Sequence, residues 1–236
     1  MLKIAAIIQA YNEEKSIAMV VKEINECSSP FNLSITPIVI NDCSVDNTEY
    51  IISVIDCVAI NLPVNLGIGG AVQTGYRYAL ENNFDFVVQV DGDGQHPANF
   101  IGKILNEMLE KKLDVVIGSR YLNKSGFQSS TLRRLGINYF RRLNKILTGL
   151  TIYDSTSGFR MLNKKALGLL TEIYPDEYPE PEALILYHKF NLSVGEYPVE
   201  MRERQGGKSS INAFASVYYM FKVSIAILFT RIRKIK

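Results

Sequence analysis

The chain is poor in the side chains that most often build soft-metal and redox centres, with two histidines and three cysteines among 236 residues. His96 and His188 are too few for a His-rich metal site. Cys27, Cys43 and Cys57 lack metal-ligand spacing, and their odd count suits a reduced cytosolic setting rather than a disulfide framework. The usual nucleotide-binding loops are also missing. Asn65-Leu66-Gly67-Ile68-Gly69-Gly70-Ala71 approaches a dinucleotide fingerprint, but the third glycine position falls on Val72 and the segment follows the third strand rather than the first. Gly207-Lys208-Ser209 imitates the end of a P-loop, but Arg202 occupies the place of the required upstream glycine. There is no internal repeat, no low-complexity stretch and no clear linker. No signal peptide is expected, because Met1-Leu2-Lys3 runs straight into an apolar strand without a small-residue cleavage site. The net charge is +2, and no nucleic-acid partner is expected.

What is present is a globular composition, 47% apolar and 21% charged, long enough for one large domain or a domain with a tail. Hydrophobic patterning predicts strands over 4–8, 35–40, 58–60, 84–90, 115–117 and 194–199. Helices are predicted over about 16–27, 44–54, 69–82, 97–112, 132–150 and 182–190, with a polar loop over 153–160. Alternation of this kind argues an α/β fold with a mostly parallel sheet covered on both faces. Polar, glycine-rich clusters follow the strands at their carboxyl ends, where open α/β sheets bind ligands.

The most informative cluster is Asp91-Gly92-Asp93-Gly94-Gln95-His96, directly after the fourth strand. Two carboxylates one residue apart repel each other unless a cation lies between them. Hard divalent ions take oxygen ligands and share them with phosphates. The plain alternative is a solvated Asp-Gly turn. The 65–71 segment opens a helix whose free N–H groups suit a phosphate, or else packs tightly on a strand.

Six segments occur in a telling order: Tyr11 to Glu14, Asn41 to Thr48, Asn65 to Gly75, Asp91 to Pro97, Gly118 to Tyr121 and Ser157 to Arg160. Together they resemble an inverting family-2 glycosyltransferase of the GT-A fold, in the branch of dolichyl-phosphate mannose synthase and bacterial polyprenyl-phosphate glycosyltransferases. The resemblance spans about residues 3–210. It implies that Ala10, Tyr11 and Glu13 line the nucleoside pocket and that Asp42 bonds the base. Gly69 and Gly70 belong to the same donor site. Asp91, Asp93 and Gln95 would hold Mg²⁺ or Mn²⁺ and the donor pyrophosphate. Arg204 would close over the diphosphate, with Lys208 a second candidate. Many relatives have proline at Ala10, and Asn41 replaces the first Asp of a common pair. A UDP-sugar rather than a GDP-sugar donor is expected from family frequency alone.

The acceptor is open between an ionised lipid phosphate, which needs no general base, and a sugar hydroxyl, which does. Glu180 or Glu182 would supply a base, and Glu182 is the catalytic candidate. In the lipid-phosphate branch Arg120, with an arginine near Arg133 and Arg134, belongs to the acceptor-phosphate site. The C-terminal segment 211–236 favours the lipid. Phe214, Val217, Phe221, Ile225 and Leu228 share one helical face, while Asn212, Ser216, Tyr219 and Lys222 share the other, with Val223 and Ile227 spoiling the polar side. Four of the last six residues are basic. A helix in the headgroup plane of the cytoplasmic leaflet is the expectation; a spanning or core-packed helix is the alternative. The expected organisation is therefore a catalytic domain over 1–210 and a membrane-associating helix over 211–236. The leading reading is sugar transfer to polyprenyl phosphate. The alternatives are elongation of a surface polysaccharide on a hydroxyl, a nucleotidyltransferase and a non-catalytic binding subunit. A small membrane partner or a homo-oligomer stays open.

Overall fold

A computed structural model describes residues 2–27, 33–123, 131–203 and 213–234. The first half alternates β1 (Leu2–Ala10), α1 (Ile17–Asn25), β2 (Leu33–Asn41), α2 (Thr48–Val54), β3 (Val58–Asn61), α3 (Gly67–Glu81) and β4 (Phe86–Asp91). A 3-10 turn at Ala98–Phe100 leads into α4 (Ile101–Glu110), followed by β5 (Val115–Ser119) and α5 (Thr131–Thr148). The remainder is β6 (Arg160–Asn163), α6 (Lys164–Leu170), α7 (Pro179–Lys189), β7 (Val194–Pro198) and α8 (Ala213–Ile232). The seven strands form one sheet in the order β3-β2-β1-β4-β6-β5-β7. Only β6 is antiparallel to its neighbours β4 and β5, so the mostly parallel sheet expected from the sequence is observed.

The central strands bury both faces, which is why they read as continuous apolar runs. Ile4 to Ile8 of β1 are wholly buried, and alternate residues enter opposite layers. Ile7, Ile38 and Val87 pack with Val72 and Tyr76 of α3 and Leu167 and Leu170 of α6. Ile4, Ile8 and Val88 pack with Ile17 and Ile24 of α1 and Ile104 and Leu105 of α4. Each such isoleucine contributes about 1.5–3 kcal/mol of burial.

Four elements depart from the sequence reading. β6 and α6 were not anticipated; β6 has only four residues and starts inside the loop expected at 153–160. Asn163 both ends β6 and caps α6, its Oδ1 accepting from the Ala166 N–H at 2.9 Å. α7 begins at Pro179 rather than Glu182, with proline in its first turn. α8 packs onto the body: Val223 and Ile227, the residues that spoil its polar face, are fully buried against Phe140 and Ile185. Its side chains up to Tyr219, including Phe214 and Val217, and the boundary at residue 210 lie outside the described residues. No helix among the described residues is long and apolar enough to cross a membrane.

Asp114, just before β5, ties the antiparallel insertion together. Its carboxylate accepts from Asn163 Nδ2 (3.0 Å), Lys165 Nζ (2.9 Å) and the Ser193 N–H (2.8 Å). Burial alone raises its pKa, but these donors, led by Ser193, outweigh burial and hold it at about 2. The folded value lies below the ordinary carboxylate value of about 3.9, so the stabilisation is complete above that range and is lost as pH falls through about 2. Asp114→Asn is expected to cost about 1 kcal/mol at pH 7 after solvent screening and to flatten the acid limb between about pH 4 and 2. Urea unfolding across that range measures both; an unaltered acid limb would show that the tie contributes nothing.

Candidate active site

The site is assembled where β1, β2 and β4 end. Ala10 is buried at the tip of β1 and its carbonyl accepts from the Asp42 N–H at 2.9 Å. The loop that follows is stitched to the 44–48 loop. Asn12 N donates to Ser44 Oγ (3.0 Å), Val45 N donates to Asn12 Oδ1 (2.9 Å), and Glu13 N donates to Thr48 Oγ1 (2.9 Å). Tyr11 stands half-exposed above this cradle, and Glu13 accepts from Ser16 Oγ at 3.0 Å. Asn41 uses both ends of its amide, donating to Asn61 Oδ1 at 2.9 Å and accepting from the Ser44 N–H at 3.1 Å. Asn41 thus stands where a common pair has its first Asp, and its amide joins the ends of β2 and β3.

Asp42 is almost fully buried, and its carboxylate accepts from the N–H groups of Leu66 (2.6 Å) and Gly67 (2.9 Å) at the start of α3. The Gly69 N–H donates to the Asp176 carbonyl at 3.1 Å. A Cβ at Gly69 would lie 2.1 Å from the Pro175 carbonyl oxygen, and one at Gly70 would lie 2.6 Å from Leu66 Cβ. These glycines therefore serve close packing, and the Gly69 amide offered to a phosphate by the sequence reading is engaged by the chain itself.

The acidic corner is held from below. Asp91 Oδ1 accepts from Gln9 Nε2, a neighbour across the β1–β4 register. The Asp91 N–H donates to His96 Nδ1 at 3.0 Å, which leaves the Nε2 proton facing Asp91 Oδ2 at 3.5 Å. His96 is buried and stacks on Phe159 with centroids 4.9 Å apart. Gly94 takes a left-handed φ of +80°, which lets the turn fold back. Asp93 is also buried, its Oδ1 accepting from the Gln95 N–H at 3.0 Å. Gln95, expected beside the metal, donates its side-chain amide to the Arg202 carbonyl at 3.4 Å. Among the described residues no three of His, Cys, Asp and Glu converge as a metal centre. Among the described residues the corner offers the carboxylates of Asp91 and Asp93, a donor set that fits a hard ion drawing its other ligands from phosphate oxygens and water.

A cationic wall stands on the other side. Arg120 grips Asp154 in two-point fashion, Nε to Oδ2 at 2.7 Å and a terminal nitrogen to Oδ1 at 2.8 Å. Asp154 is fully buried, so this guanidinium is fixed in place. Arg160 has no exposed surface. It donates to the carbonyls of Ser157 (2.8 Å), Ser155 (3.1 Å) and Glu180 (2.7 Å) and to Tyr187 Oη (3.2 Å).

The two glutamates of α7's first turn separate. Glu182, the catalytic candidate from the sequence, accepts from Thr230 Oγ1 and faces α8. Glu180 is the one whose carboxyl interacts with Arg160, Asp91 and Arg120. Burial pushes the Glu180 pKa up, and the Arg160 charge opposes that rise only in part. Of the two, Glu180 is therefore the carboxylate turned toward the acidic corner, and Glu182 is turned toward α8. The turn brings one of two carboxylates inward, and they are two positions, about 200°, apart on the helix. Arg202 pairs with Glu23, as a surface charge would. The side chains of Arg133 and Arg134, and the whole of Arg204 and Lys208, lie outside the described residues.

Gln9, His96 and Asp154 escaped the sequence reading as site residues. Gln9 carried a signal, since a polar residue near the end of an otherwise apolar buried strand needs a partner. His96 lay within a flagged motif, and Asp154 within a flagged loop.

Comparison with known proteins agrees with this geometry. Residues 5–170 match the family model Glycosyl transferase family 2. The UDP-N-acetylglucosamine--dolichyl-phosphate N-acetylglucosaminyltransferase of Methanococcus voltae is 32% identical over 217 residues, covering 82% of this chain and 83% of the relative. The polyprenol monophosphomannose synthase of Mycolicibacterium smegmatis is 25% identical over 228 residues, covering 92% and 84%. Glucosyl-3-phosphoglycerate synthase from Mycobacterium tuberculosis, in complex with Mn²⁺, UDP and phosphoglyceric acid, superposes with a TM-score of 0.72 at 18% identity, covering 100% of this chain and 80% of that one. That likeness shows the shared GT-A fold. The chain is a glycosyltransferase and belongs to glycosyl transferase family 2.

Proposed function

We propose that the protein transfers a sugar, with inversion, from a UDP-sugar to a polyprenyl phosphate at the cytoplasmic face of a membrane, using Mg²⁺ or Mn²⁺. The observation that carries this reading is the opposition of a braced acidic corner, Asp91 and Asp93, to a guanidinium fixed by Asp154. The relatives named for dolichyl-phosphate and polyprenol acceptors support the lipid phosphate, and the fold neighbour crystallised with Mn²⁺ and UDP supports the donor and the ion. When bound, the ion neutralises the charge that builds on the departing diphosphate. Ala10, Tyr11, Glu13 and Asp42 shape the nucleoside end of the site. Gln9 and His96 orient Asp91, and the buried turn orients Asp93. Arg204 and Lys208 close over the diphosphate in this reading. Arg120, with Arg133 and Arg134, attracts the acceptor phosphate and turns an oxygen of it toward the sugar. Residues 211–236 supply contact with the membrane surface.

An acceptor phosphate is already ionised and needs no proton removed. One observation favours the second reading, transfer to a glycan hydroxyl: Glu180 places a carboxyl of raised pKa beside Asp91 and Arg120, where a base could serve.

Two measurements decide. Labelled UDP-sugars incubated with polyprenyl phosphate and Mn²⁺ are expected to give a product that partitions into organic solvent and is released by mild acid. A water-soluble glycan product would transfer the case to the hydroxyl reading. Asp93→Asn is expected to lower transfer by about 10²-fold or more with the fold intact, and unchanged transfer would remove the metal assignment.

Glu180→Gln separates the acceptors. With a phosphate acceptor, turnover falls less than about tenfold; with a hydroxyl acceptor it falls about 10²-fold or more, the usual worth of a general base. Glu182→Gln stays within about threefold in both cases because its carboxyl faces α8. A large loss on Glu182→Gln alone would assign the base to Glu182 instead.

A further inference from the structure

β7 carries an acidic residue where its pattern calls for an apolar one. Val194, Glu196 and Pro198 share one face of the strand. Val194 packs in the layer that holds Ile117 and Ile152. Glu196 lies opposite Ile117 in the β5–β7 register and is half-buried there. Its carboxylate is engaged by backbone. One oxygen accepts from the Tyr153 N–H at 2.7 Å and the other from the Asp154 N–H at 2.9 Å. Two successive amides aimed at one anion make a concave backbone cradle.

Asp154 then faces the other way. Its fully buried carboxylate takes the Arg120 guanidinium at two points and also accepts from the Arg120 backbone N–H at 3.1 Å. Thr156 Oγ1 lies 3.3 Å from Asp154 Oδ1 and 3.3 Å from a terminal nitrogen of Arg120. The far end of this loop is pinned separately, with Ser157 Oγ donating to the Gly118 carbonyl at 2.7 Å. At the near end the tie is Glu196. The charged groups around it are Asp154 in the loop, Arg120 beyond Asp154, and Arg141 of α5, whose guanidinium sits 4.4 Å over the Tyr153 ring. Burial pushes the Glu196 pKa up, the two amides oppose that only in part, and the Asp154 charge adds to the rise.

We propose that Glu196 is a positioning residue for Arg120: its carboxylate fixes the Tyr153–Asp154 backbone, and that backbone fixes the carboxylate that grips the guanidinium. The positioning rests on geometry, and its consequence for transfer rests on the reading above in which Arg120 meets the acceptor phosphate. A carboxylate satisfies both amides because both of its oxygens accept. A glutamine of the same size has one oxygen and one NH₂, so one of the two amides would face a donor. Glu196→Gln therefore loosens one side of the cradle without changing its volume. The guanidinium at the end of β5 is in this way set by a residue of the last strand in the sheet.

Heteronuclear NMR of the full chain, without ligands, tests the positioning. The Arg120 Nε–H signal, assigned by its loss in Arg120→Lys, is expected to exchange slowly with solvent in the wild type. In Glu196→Gln it is expected to exchange about tenfold faster or more, as in Asp154→Asn. The carboxylate acceptor is present above the folded pKa of Glu196 and is lost as pH falls through it. The Tyr153 and Asp154 amide signals and the Arg120 Nε–H signal are therefore expected to shift in one shared step, above the ordinary glutamate value of about 4.3. Glu196→Gln removes that step. An Arg120 signal that holds still while the two amides titrate would overturn the proposal, and this wild-type measurement does not depend on the variant folding. A lowered melting temperature in Glu196→Gln with wild-type Arg120 exchange would also overturn it, leaving a structural tie only. Transfer to a water-soluble prenyl phosphate reads the consequence. The KM for that acceptor is expected to rise about tenfold in Glu196→Gln while the KM for the UDP-sugar stays within about twofold. A loosened Arg120 with an unchanged acceptor KM keeps the positioning and removes the acceptor role of Arg120.

Discussion

A guanidinium with no exposed surface holds the two walls of this site together. Arg160 is the first residue of the antiparallel strand β6, and its donors reach the 155–157 loop on one side and the first turn of α7 on the other. A buried charge of this kind costs several kcal/mol unless its donors are satisfied. Here carbonyl oxygens of Ser155, Ser157 and Glu180 and the Tyr187 hydroxyl accept from it. Satisfying it fixes where the loop and the helix end must sit. The same loop presents Asp154 to Arg120, and the same helix turn presents Glu180 to the acidic corner. One desolvated cation therefore sets the distance between parts that come from widely separated stretches of chain.

The electrostatics follow from that frame. Asp91 and Asp93 are close in sequence and would repel. Neutral donors, Gln9 beneath and the Gln95 amide beside them, hold each carboxylate without cancelling its charge. The two carboxylates are thereby held in place by the chain itself before any ligand arrives. Arg120 is treated the other way: its charge is largely met by Asp154, which gains rigidity at the expense of field strength. Its guanidinium is thereby held in one place at the edge of the site.

Much of this was legible in the sequence. Buried parallel strands announce themselves as apolar runs, and a β4 end followed by Asp-Gly-Asp-Gly marks a ligand site without any contact list. What was not legible depends on side-chain direction and on long-range partners. Glu180 and Glu182 are equivalent by composition and position, and only the packing of α7 decides which turns inward. β6 is too short to show a period and begins with an arginine, a residue rarely buried. On α8 the sequence correctly gave an apolar stripe through Phe221, Ile225 and Leu228, and it treated Val223 and Ile227 as blemishes. In the fold those two are the core contact, and the stripe is what remains outside.

That inversion follows from how α8 lies on the body, with one face in the core and the other outside. α8 has apolar residues on both sides, interrupted by Lys222 and Thr230, which pair with Glu177 and Glu182. Those polar ties join one flank of α8 to the body. The acidic residues of the chain are excluded from both α5 and α8, while the carboxylates that matter for chemistry gather at the ends of the strands.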